Sequence, residues 1–153
     1  MIEILSSIAL FSVGYILASI LWYMNHRFIL HGRVGDFPFL KHFKHLHTLH
    51  HVHAYDGQKN KYIVVPWWAH LIIVSVSAPF LFFSFSLWCG AATFPLVYTW
   101  RHYSIHNSDT SSVYYRMHAI HHTVNPFVNY SGVHPVVDRI FGTELNIFPL
   151  TRP

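Results

Sequence analysis

Ten of the fifteen histidines in this 153-residue chain fall into four short clusters: His26-x-x-x-x-His31, His47-x-x-His50-His51, His102-x-x-x-His106 and His118-x-x-His121-His122. Imidazole is the commonest protein metal ligand, and it suits zinc, copper, iron and nickel. A structural zinc site closes at four ligands, so ten are too many for that task. Shared between two metals, they give each four or five ligands and leave a position open for oxygen or substrate. The chemistry to expect is that of a dinuclear catalytic centre.

The spacings support this. On an α-helix, residues i, i+3 and i+4 share a face, a rule met by His47, His50 and His51 and again by His118, His121 and His122. His102 and His106 lie one turn apart. His26 and His31 do not fit, because five residues carry the chain about 140° past a full turn. A helix end or bulge near Phe28 to Leu30 would reconcile them, as would service to different metals. Cys89 is the sole cysteine, which excludes an internal disulfide, a thiolate zinc site and an iron–sulfur cluster. With six acidic residues against fifteen histidines, nitrogen dominates the donor set. His42, His45 and His53 read as flanking or surface residues, His70 as a hydrogen-bonded helix-packing residue, and His134 as part of a loop. Asp138 is the candidate outer carboxylate, accepting the far ring N–H of a ligating histidine; a pair with Arg139 or a helix cap is its other reading.

The elements that must position these residues are apolar. Apolar side chains make up 52% of the sequence, aromatics 18% and charged residues only 10%, with a mean hydropathy of +0.30; a soluble domain carries about 25% charge. The expectation is an all-α, multi-span membrane helical bundle with a cytosolic histidine-rich helical cap, as a single domain over residues 1–153. Residues 4–24 carry no charge and are long enough to cross about 30 Å of hydrocarbon; they lack the basic start and cleavage site of a signal peptide. Residues 63–100 contain no Asp, Glu, Lys or Arg and read as two spans, 63–83 and 87–104, turning at Ser84-Phe85-Ser86 or at Cys89-Gly90; a re-entrant hairpin is the other arrangement. Every Lys and Arg lies in 25–62 or from Arg101 onward, so the positive-inside rule puts the N-terminus outside and all four histidine clusters in the cytoplasm, at an endoplasmic reticulum or bacterial inner membrane. There is no basic stripe for nucleic acid. Gly32, Gly35 and Pro38, and later Ser108 to Ser112, punctuate the two halves, and a helix pair at about 40–52 and 112–123 forms the cap within 25–62 and 105–153.

At these residues the chain resembles the fatty acid hydroxylase / sterol desaturase superfamily of membrane di-iron oxygenases. The order and spacing of all four boxes match, as does the ending Asp138-Arg139-Ile140-Phe141-Gly142-Thr143, over about residues 22–145. Asn25 to His31, and His50-His51 followed by Asp56-Gly57 and Pro66, are most similar to the fatty acid 2-hydroxylase branch, which acts on sphingolipid acyl chains. The tail from Asn129 is equally similar to sterol methyl oxidases, whereas carotenoid hydroxylases space the third box differently. The resemblance implies four spans over a cytosolic cap, two iron ions (replaceable by zinc in isolated protein), dioxygen, a lipid C–H bond as target, and a separate electron-donor protein. With three expected spans rather than four, self-association into an oligomer is a further expectation. Trp67, Trp68, Phe80, Phe82 and Phe83 read as packing and interface anchors. Sterol or carotenoid oxidation by the same centre is the alternative. A non-enzymatic membrane metal-binding or transport protein is the competing class; transporters hold their ligands near the midplane, where only His70 lies here.

Overall fold

The computed structural model describes residues 2–57, 59–63, 67–108, 111–132 and 134–147, all of them helix, turn or irregular chain. Pro66 and Arg152, and Asp109 and Thr110 of the expected second break, lie outside the described residues. Helix α1, Ile2–Met24, runs directly into a π-helical segment, Asn25–Leu30. Together they form a 29-residue helix containing an 18-residue stretch of mean hydropathy 2.2, of which only 11% is buried by the rest of the protein. Among the described residues it is the one helix long and apolar enough to cross a membrane.

Its partner is α5, Phe85–Asn107, 23 residues long. Two glycines let these helices touch backbone to backbone: a Cβ added at Gly14 would lie 2.0 Å from the Leu87 carbonyl oxygen, and one at Gly90 2.0 Å from that of Phe11. Gly90 is therefore a close-approach residue inside a helix, which removes Cys89-Gly90 as a turn. Above the crossing, Tyr15 meets Phe94 edge-on at 5.3 Å, and Trp22 lies 4.1 Å from Tyr98 between ring centroids. The paired helices thus deliver His26 and His102 to the same end of the scaffold.

The expected span 63–83 is not one helix. α4 covers Trp67–Ser77, about 16 Å at 1.5 Å per residue, and a 3₁₀ turn follows over Ala78–Phe82. Pro79, which has no N–H to donate and disfavours α geometry in the residue before it, accounts for the change. Ser84 then caps α5, its hydroxyl accepting from the Leu87 amide at 3.5 Å, at the serine-flanked turn the sequence suggests.

The two shorter histidine-bearing helices are α2, Lys41–His53, and α6, Val113–Thr123, with short α3 (Lys59–Ile63) between α2 and α4, and α7 (Val136–Ile140) in the tail. Ser112 caps α6 by accepting from the Tyr115 amide at 3.1 Å. The tail folds back on the end of α1. Tyr23, fully buried, meets the Thr143 hydroxyl at 3.0 Å and stacks on Phe141 with centroids 4.8 Å apart. Asn129 holds the loop before α7 in a left-handed conformation (φ 55°), its side chain donating to the Met117 and Leu145 carbonyls and accepting from the Leu145 amide. Asn is among the few side chains that tolerate this conformation.

Candidate metal centre

The ten clustered histidines gather into two sets of five. His26, His31, His47, His51 and His121 form group one; His50, His102, His106, His118 and His122 form group two. Within each group one ligand atom per residue lies within 4.8 Å of all the others. The converging atoms are Nε2. In group one, His47 Nε2 is 3.1 Å from His26, 2.8 Å from His31 and 3.1 Å from His51. In group two, His50 and His102 approach to 3.2 Å, His106 and His118 to 2.8 Å, and His118 and His122 to 3.0 Å. The groups share a wall, where the His51 and His122 rings stack 4.1 Å apart.

Each group draws four ligands from its own half of the chain and one from the other. In α2, the i/i+4 pair His47 and His51 stays with His26 and His31, while His50 crosses to group two. In α6, His118 and His122 stay with His102 and His106, while His121 crosses to group one. The reason is helical geometry: at about 100° per residue, i+4 lies some 40° to one side of i and i+3 some 60° to the other. One triplet therefore feeds two centres.

The π segment solves the odd spacing of His26 and His31. Its i→i+5 pattern closes with the His31 amide donating to the His26 carbonyl at 3.0 Å, a wider winding that brings the fifth residue back toward the face of the first. Both rings then face the same side, with centroids 5.0 Å apart.

Two backbone carbonyls orient group one. His26 Nδ1–H donates to Tyr130 C=O, and His121 Nδ1–H donates to Val128 C=O at 2.7 Å. A proton held on Nδ1 leaves Nε2 as a lone pair. Asp138 lies one step behind. It is 1% exposed and accepts from the Tyr130 amide at 2.8 Å, the Ser131 amide at 3.0 Å and the Thr143 hydroxyl at 2.9 Å. This corrects the expected role: its carboxylate meets backbone amides and a hydroxyl rather than a histidine ring, and fixes the loop whose carbonyls hold the rings. Arg139 pairs with Glu144 instead, through bonds of 2.8 and 2.9 Å. In group two, Tyr98 stacks on His102 with centroids 5.3 Å apart at 16°.

Burial, reinforced by neighbouring imidazoles, holds the rings neutral. His31 is pushed down to about 3 and His51 to about 4; His47, His50, His118, His121 and His122 lie well below the usual histidine range for the same reason. A neutral ring nitrogen donates one proton or presents one lone pair, so His47 Nε2 cannot satisfy three such neighbours at once. His121 Nε2 is buried without any hydrogen-bond partner, on a residue of 0% exposure. Five inward-facing lone pairs fit a cation of the imidazole-binding kind.

The remaining histidines belong to neither group, although His134 lines a small cavity beside His118. His42 and His45 are exposed, His53 pairs with Asp56 at 2.6 Å, and His70 Nε2 meets the Thr99 hydroxyl at 3.0 Å. Sequence reasoning missed the roles of Val128 and Tyr130, whose backbone oxygens carry no residue-type signal. It also missed Tyr98, one turn before His102.

The model of the fatty acid hydroxylase family matches residues 11–143. No curated protein and no solved structure matches the chain. The match takes in most of α1, all four histidine clusters and the tail up to Thr143, and on that extent the chain belongs to the fatty acid hydroxylase family.

Proposed function

We propose that this protein is a membrane-bound lipid hydroxylase whose ten histidines hold two iron ions. The observation that carries the reading is the sorting of those histidines into two adjoining sets of five inward-facing nitrogens, in a chain of this family. When bound, the iron pair would supply the oxidising power, with dioxygen, to convert an unactivated lipid C–H bond to an alcohol. The protein contributes placement and dryness. The carbonyls of Val128 and Tyr130 keep the Nδ1 protons of His121 and His26 in place, which fixes tautomer and ring direction. The stacked His51 and His122 rings keep the two sets adjacent. Burial of His26, His50, His102, His106, His118 and His121 excludes water from much of the centre.

The substrate class is a fatty acyl or sphingolipid chain, because the centre sits at the end of the apolar α1–α5 pair. Such a chain can lie along those helices in the bilayer while one carbon reaches the centre. The histidine end faces the cytoplasm by the distribution of Lys and Arg, and electrons come from a separate donor protein. Expression of the chain should add a hydroxylated lipid to membrane extracts analysed by mass spectrometry, and exclusion of oxygen should abolish it. Product formed anaerobically would overturn the oxygenase reading; metal flux into vesicles without lipid oxidation would favour transport.

A further inference from the structure

The two groups differ in how water can reach them. Group two is the more closed: His50, His102, His106 and His118 are each 2–6% exposed, and of its five ligands only His122 is half-buried. Group one keeps only His26 and His121 fully buried, while His31, His47 and His51 are half-buried. These three line a recess of about 210 Å³, completed by Leu30, Thr48 and Pro126. No histidine of group two lines it. A second, independent difference lies in the carriers. His31 lies past the end of the π segment, with a 3₁₀ turn starting two residues later, whereas all five group-two ligands lie within α-helices, His50, His106 and His122 in the last turns. A ligand outside a helix opens locally at lower cost than one held inside helical hydrogen bonding.

From this we propose that the two metal positions are inequivalent: group one exchanges its cation with the surroundings through the recess, and group two retains its own. The inference rests on the dinuclear reading above. A bound ion leaves when an incoming donor takes the place of a departing ligand, and that donor needs a path to the ion. The recess is such a path for group one. The cavity that touches group two, through His118, holds only about 10 Å³, room for about one water, so its ion leaves only when the helices carrying its ligands part. Thr48, an exposed α2 residue between His47 and His51, is the position that sets the width of the path.

The test uses full-length protein in detergent, loaded with zinc and challenged with a small water-soluble chelator while release is followed by absorbance. Two phases of equal size are expected. His31→Ala should remove the fast one and His50→Ala the slow one. Thr48→Trp should slow the fast phase by about tenfold, equivalent to roughly 1.4 kcal/mol on its barrier, and Thr48→Ala should speed it. The slow phase should be unchanged in both. Release of both ions in one phase, or loss of the fast phase on His50→Ala, would overturn the inequivalence alone. Fewer than two zinc ions per chain at saturation would instead overturn the dinuclear reading beneath it.

Discussion

α2 and α6 carry the same motif, His-x-x-His-His, and split it the same way, yet they occupy different positions. In α6 the run Met117 to His121 is buried; in α2 only His50 is. α6 is thus the more interior of the two helices and α2 the more exposed. The crossing residues reflect this. His121, reaching from α6 into group one, is fully buried and anchored through Nδ1, while its group-one neighbours from α2 are half-buried. Equal ligand spacing does not give equal environments; these come from what packs behind each helix.

The sharpest way to break this comparison is to remove the crossing residues. His121→Ala and His50→Ala should each lower bound metal by about one ion per chain and abolish lipid oxidation, since loss of a ligand opens a coordination set that the metal needs closed. Full metal content in either variant, measured by elemental analysis, would exclude the exchange of ligands between halves.

A smaller effect is expected at Asp138. Asp138→Ala strands the Tyr130 and Ser131 amides, each at about 1–3 kcal/mol, and loosens the carbonyl that holds His26. Metal affinity should fall roughly 10–100-fold, in group one and not in group two. The neighbouring Arg139→Ala, which breaks only a surface pair with Glu144, should leave metal content unchanged. Equal losses in the two variants would remove the loop from the argument.

Acid should act on the metal-free protein in a fixed direction. His31 and His51 titrate at about 3 and about 4 when folded, against about 6.5 in an unfolded chain. Between these values the unfolded state binds more protons, so stability is intact above pH 6.5 and declines as pH falls toward 4. Denaturation at neutral pH and at pH 5 would check this, and a flat profile would contradict the burial of these rings.

Much of this was legible in the residues. The cap helices were expected at 40–52 and 112–123 and lie at Lys41–His53 and Val113–Thr123, because histidine spacing and the Gly/Pro and Ser breaks mark them. The ten histidines named from spacing are the ten that converge. What spacing could not give is which centre each ring serves, since helical geometry splays i+3 and i+4 to either side of i but only tertiary packing decides which centre lies on each side. The 63–83 stretch was illegible for another reason. An almost wholly apolar run has no periodicity to betray a break, and Pro79 was the only signal for where α4 gives way to a 3₁₀ turn.

The widened turn at Asn25–Leu30 has a consequence for descent and engineering. Wound as an ordinary α-helix at its present length, this interval would carry His31 about 140° round from His26, away from its partners, whereas removing one residue would return the pair to the i/i+4 spacing that His102 and His106 use within α5. The five-residue interval and the widened winding therefore belong together, and any chimera or transplant of this centre has to inherit both or neither along with the histidines.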